Sequence, residues 1–146
     1  MKKIILAAFV IGISLNLMAA SPINVTKKVL AAFTTTFPQA SNVNWTLHED
    51  YYIVTFVQND IRTNIAYDQE GSIVRSLRYY TQEQLPFIVL STVKETYQGK
   101  KIFGVTEESS QNGTIYHIIL QDDQSWYHVN ATPTGSLQLE NKFKKA

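Results

Sequence analysis

The stretch FTTTFPQASNVNW, residues 33–45, decides the fold. With the residues before it, Val25, Val29, Phe33 and Phe37 recur every four positions, and Ala32 and Thr36 stand beside them. That spacing puts one apolar face on a helix. Ser21-Pro22 suits the N-cap and first helical position. Pro38 stops the helix, because the residue before a proline is pushed out of the α region. Val43 and Trp45 then alternate with polar residues, as in a half-buried strand.

The phrase has a second copy. Sixty residues on, Leu85, Val89, Val93 and Tyr97 keep the same spacing, flanked by Thr92 and Thr96. Pro86 fits the start of that helix and Gly99 its end. Val43 and Trp45 correspond to Phe103 and Val105. Sixty-four residues on, YIVTF (52–56) corresponds to YHIIL (116–120), Gly71 to Gly135 and Ile73 to Leu137. The extra four residues lie in a longer hairpin, ESSQNGT (108–114), where Asn112-Gly113 signals a type I′ turn.

Each copy reads as one helix followed by about four strands. The strands fall near 42–47, 51–57, 61–67 and 72–79, then near 101–107, 114–120, 125–130 and 136–142. The expected fold class is α+β: two tandem repeats, each a helix packed on an antiparallel sheet of about four strands. The expected division is a signal peptide at 1–20, a first repeat at 21–80 and a second at 81–146. Thr81-Gln82-Glu83-Gln84 fits a capping box and a short helical turn at the joint.

VLAAFTTTFPQASNVNW, YYIVTF and IAYDQEGSIV resemble the PepSY-like family of exported bacterial proteins. LPFIVLSTVKETYQGKKIFGV and NGTIYHIIL are similar to that family's second repeat. The resemblance spans about residues 23–142, and the helix-end phrase with its Trp is its most specific part. Such proteins are common in Bacteroidetes and resemble the β-lactamase-inhibitory protein in fold. The resemblance implies two helix-plus-sheet repeats in the periplasm or outside the cell, and it brings no catalytic residues. Gln98 departs from the family, which usually has a Pro there.

The N-terminus supports export. Lys2 and Lys3 precede an apolar run, IILAAFVIGISLNLM, and Ala19-Ala20-Ser21-Pro22 follows. This is the layout of a secretory signal peptide cleaved after Ala20, and the run is short for a membrane span. No further membrane span is expected after cleavage. Losing Lys2 and Lys3 turns the formal charge from +1 to −1, which gives no basic surplus for nucleic acid. The chain has no Cys. That excludes disulfides, thiol catalysis and Cys-zinc sites, and leaves stability to the apolar core.

A helix covers one face of a sheet and leaves another to explain. If Gln121–Gln124 form the turn, Ile119 pairs with Trp126 and His117 with His128. Tyr116, Ile118, Leu120, Tyr127 and Val129 then form the core face. Trp126, His117, His128 and Ile119, with Tyr51 and Ile53 from the first copy, form the opposite one and are the candidate partner-binding residues. Two paired His fall short of the three or four ligands a zinc site needs. No Gly-x-Ser-x-Gly and no phosphate-binding Gly loop is present. Glu107-Glu108 and Asp122-Asp123 read as solvated turn or strand-end acids. Arg75, Arg78, Tyr79 and Tyr80 read as packing at the joint. Asn24, Asn44, Asn112 and Asn130 match the Asn-x-Ser/Thr pattern, but in a bacterial chain they are expected to stay unmodified.

The expected function is an exported, noncatalytic module that binds another envelope or secreted protein. It needs no cofactor or metal. The alternative is a periplasmic small-ligand or peptide binder that uses the cleft between the repeats.

Overall fold

The computed structural model describes residues 23–146. The signal peptide and Ser21-Pro22 lie outside the described residues. Eight strands form one antiparallel sheet in chain order. They are β1 (Ser41–His48), β2 (Tyr51–Gln58), β3 (Ile61–Tyr67), β4 (Ile73–Tyr80), β5 (Lys101–Ser110), β6 (Gly113–Gln121), β7 (Ser125–Ala131) and β8 (Leu137–Lys144). Helix α1 (Lys27–Thr36) precedes β1. A 3-10 turn (Gln82–Gln84) and α2 (Phe87–Thr96) link β4 to β5.

This corrects the expected pair of four-stranded repeats. The sheet is single and continuous. Strand β4 pairs with β5 from Arg75↔Ser110 to Tyr80↔Val105. The physical reason is edge satisfaction: left apart, β4 and β5 would each expose a row of unpaired N–H and C=O groups. Side chains reinforce the seam on both faces. Arg75 Nε donates to Glu108 Oε1 at 2.7 Å on one face. Arg78 Nη1 donates to Glu107 Oε1 at 3.1 Å on the other, and the Tyr80 hydroxyl donates to Glu107 Oε2 at 2.6 Å.

Both helices lie on the same face. The register carries this parity across the seam: Thr63 stands opposite Arg78, Arg78 opposite Glu107, and Glu107 opposite Tyr116. Buried residues form two clusters. Val29 and Phe33 of α1 pack on Val54, Phe56, Ile65 and Tyr67. Val89 and Val93 of α2 pack on Val105, Ile118, Leu120 and Val129. Isolated helices of this length are marginal in water, so packing on the sheet holds them.

Local details differ from the sequence reading where side-chain chemistry overrides pattern. Helix α1 is capped by Thr26, whose Oγ1 accepts from Val29 N at 3.3 Å. It ends before Pro38, with Phe37 N–H donating to the Phe33 carbonyl at 2.8 Å. Thr81 contacts the side chains of Glu83 and Gln84, not a backbone N–H, so no capping box forms. At Asn112-Gly113 only the glycine has positive φ (106°), and it already pairs with Ser110. The loop residues are therefore Gln111 and Asn112, with Gly113 as the left-handed residue after the turn, and type I′ is excluded. A type I′ turn occurs instead at Asn59-Asp60, with φ of 51° and 61° between the paired Gln58 and Ile61.

Two glycines separate backbone conformation from crowding. Gly71 has φ +88°, and a Cβ there would stand 3.3 Å from the Lys28 carbonyl oxygen on α1. Gly99 has φ +75° with nothing within 4 Å. Gly71→Ala is expected to lose about 1–3 kcal/mol in urea unfolding. Gly99→Ala should lose less. Equal losses would show that α1 does not press on the β3–β4 turn.

Candidate functional site

The face away from the helices is the candidate surface. No described element covers it. Along β6 and β7, alternation buries Tyr116, Ile118, Leu120, Tyr127 and Val129 against α2. It therefore turns His117, Ile119, Trp126 and His128 to the open face. The pairing differs from the expected one by two residues. Gln121 stands opposite Trp126, Ile119 opposite His128, and His117 opposite Asn130. A two-residue slip keeps every side chain on its face but changes its neighbours.

Asp122 sets that register. Its Oδ1 accepts from Gln124 N at 2.9 Å and Ser125 N at 2.8 Å, and its Oδ2 accepts from the Tyr127 hydroxyl at 2.7 Å. This closes a tight turn and leaves Gln121 in β6. The Tyr127 hydrogen bond, helped by the Gln124 N–H, holds the Asp122 carboxyl at about 2, below its usual 3.8.

His117 and His128 are consequently not cross-strand partners. His117 Nδ1 lies 2.8 Å from Asn130 Oδ1, and its Nε2 lies 3.1 Å from Glu108 Oε2. Glu108 also receives Arg75, which lowers the carboxyl's pKa, with His117 adding to the effect. A polar chain thus crosses β4 to β7. His128 instead packs edge-on against Phe143, ring centroids 5.1 Å apart. Among the described residues, no group of three or more His, Cys, Asp or Glu could hold a metal.

Trp126 meets Phe103 edge-to-face at 5.0 Å and carries Lys145 Nζ 4.7 Å from its ring. Lys145 Nζ also donates to Gln121 Oε1 at 2.8 Å. Phe103 and Phe143 are large apolar side chains left 61% and 49% exposed, so they extend the Trp126 patch to solvent. The sequence reading missed both. Phe103 shares parity with the buried Val105, but a bulge between Ile102 and Gly104 turns it to the open face. An aromatic next to Gly104 was the available signal.

Tyr51 and Ile53 share the face but not the patch. They lie on β2, five strand spacings from β7, or roughly 24 Å. Their neighbours are polar or small: Ile53 pairs with Thr46 and Ala66. The structure gathers Trp126, His128, Ile119 and His117 and leaves Tyr51 and Ile53 apart.

No protein-family model matches the chain, and no curated protein matches it. Solved structures do. A BLIP-like protein of Bacteroides fragilis is 13% identical, covering 85% of this chain and 89% of its own, with a TM-score of 0.66. A DUF2874 family protein of Bacteroides ovatus is 21% identical over 84% and 89%, with a TM-score of 0.65. A proposed periplasmic protein of Bacteroides eggerthii is 19% identical over 83% and 89%, with a TM-score of 0.64. The chain therefore has a BLIP-like fold. The comparisons extend to that fold and not to PepSY membership. Among the described residues, no helix is long and apolar enough to cross a membrane.

The Asp122 turn yields a pH test. Its lowered carboxyl contributes stability above pH 3.8, and that contribution is lost as pH falls towards 2. Wild type is expected to unfold at higher urea than Asp122→Asn at neutral pH. The gap should narrow steadily between those two values. A gap independent of pH would mean that the charge on Asp122 does not hold the turn.

Proposed function

We propose that the chain is an exported, noncatalytic module that binds another envelope or secreted protein through the open face of its sheet. The observation that carries this reading is the uncovered cluster of Phe103, Trp126, His128 and Phe143. Burying such aromatics against a partner is favourable, and Trp is the residue type most enriched among binding anchors. The cluster sits on paired strands, so its backbone is already ordered before docking.

The surrounding charge favours an acidic partner. Lys145 sits over Trp126 within the patch, and Arg62 lies four strands away on the same face, 5.8 Å from the Tyr79 ring centroid. Neither has a carboxylate within salt-bridge distance among the described residues. Glu108, an acid on this face, is already matched by Arg75. A partner surface with an apolar centre and acidic rim would complement both features. The BLIP-like fold supports protein binding by analogy, and the N-terminal signal layout supports a periplasmic or secreted location.

The test is capture from an envelope extract with tagged protein, followed by titration of the purified captured protein. Trp126→Glu is expected to weaken binding at least about 30-fold, the cost of a hot-spot residue. Tyr51→Ser, on the separate patch, should change it little. Unchanged affinity in a folded Trp126→Glu protein would overturn the reading.

A further inference from the structure

The helix-bearing face has an opening of its own. Eight strands span roughly 34 Å across the sheet, whereas each helix is about 10 Å wide. Helix α1 packs on β2–β3 and α2 on β5–β7, so most of β4 lies between them, beside the end of β5. The side chains there are polar: Ser76 stands opposite Ser109, and Arg78 opposite Glu107. Against the α1 side of this gap lies a cavity of about 280 Å³. That is the space of about nine liquid waters.

Its walls are apolar and its far side is not. Phe37, Phe56 and Ile65 form one wall and Ile61 another, while Ser76 and Arg78 come from β4. Gln58 also lines it, and its Oε1 is buried with no hydrogen-bond partner among the described residues. An unpaired buried acceptor is costly, and a bound N–H or O–H would satisfy it. Arg78 uses Nη1 for Glu107; its Nε and Nη2 have no partner among the described residues. A guanidinium fork with open donors matches a carboxylate.

From this arrangement we infer that the gap between the helices is a second binding site, separate from the aromatic face, for a small carboxylate with an aromatic or branched aliphatic body. The carboxylate meets Arg78, the apolar body fills the space between Phe37 and Ile61, and a donor on the ligand reaches Gln58. A free acid and the C-terminal residue of a peptide share this chemistry.

Titration of the 15N-labelled protein by NMR tests it, with phenylacetate, phenylacetamide and Gly-Gly-Phe as probes. Phenylacetate is expected to shift amide signals of residues 56–65 and 73–78 saturably, and phenylacetamide to bind about tenfold more weakly. Stronger binding of Gly-Gly-Phe than of phenylacetate would identify a peptide terminus; weaker binding would identify a free acid. Arg78→Gln should weaken phenylacetate about tenfold, and Ser76→Leu, which fills the cavity, should abolish its shifts. If Arg78→Gln loses its spectral dispersion, Ser76→Leu decides. No shift from either acid at millimolar concentration would overturn the inference. So would shifts confined to Trp126 and Phe103, or undiminished binding by Ser76→Leu. Loss of phenylacetate binding at the gap leaves capture through Trp126 standing.

Discussion

The pairing of β4 with β5 is the constraint on which the rest depends. Six residues of each strand close it, from Arg75↔Ser110 to Tyr80↔Val105. The exposed Arg75–Glu108 pair contributes little by itself, about 0–1 kcal/mol. The backbone ladder carries the joint, since each strand would otherwise keep an open edge. The Arg78–Glu107–Tyr80 cluster then fixes its register on the helix side. Because that seam is closed, the open face runs unbroken from β1 to β8. For the same reason the gap between the helices has a floor.

The two faces distribute apolar surface in opposite ways. On the helix side, the apolar residues gather under α1 and α2, and the centre carries Ser76, Arg78, Glu107 and Ser109. A third helix has nothing apolar to bury there. On the open side, the centre is occupied by the Arg75–Glu108–His117–Asn130 chain, whose polar groups satisfy one another. The cluster of Phe103, Trp126, His128 and Phe143 lies towards β7 and β8 instead. Each face is thus saturated in one region and unsatisfied in another, and those unsatisfied regions do not coincide.

Much of this was legible in the sequence, for reasons that also explain what was not. The four-residue spacing of Val29 and Phe33, and of Val89 and Val93, located both helices and their buried faces, but carrying it back to Val25 started α1 too early, since Thr26 caps it. Period-two alternation separated Tyr116, Ile118 and Leu120 from His117 and Ile119. Both signals are local. Which strand pairs with which is not a local property, and the union of β4 with β5 has no signature in periodicity. The same limit put Tyr51 and Ile53 with Trp126: alternation assigns a face, not a distance across it. The β6–β7 register turned on Asp122, which bonds its own turn and shortens the loop. Phe103 escapes a reading by alternation because a bulge turns it out of phase with Val105.

The acids of the chain bear on the choice between binding and catalysis. Paired carboxylates do acid–base work when they face one reacting group from set separations. Glu107 and Glu108 are neighbours in a strand and so point to opposite faces, where each is held by its own arginine. Asp122 is bound by two turn amides and the Tyr127 hydroxyl. Lys100 lies 3.5 Å from it as well. These carboxylates are committed to register, seam and turn. Among the described residues, the groups left unsatisfied are of another kind: aromatic rings open to water, spare guanidinium donors, the buried amide oxygens of Gln58 and Asn64, and the buried Tyr67 hydroxyl. Such groups are of the kind that a docked surface or a bound ligand satisfies.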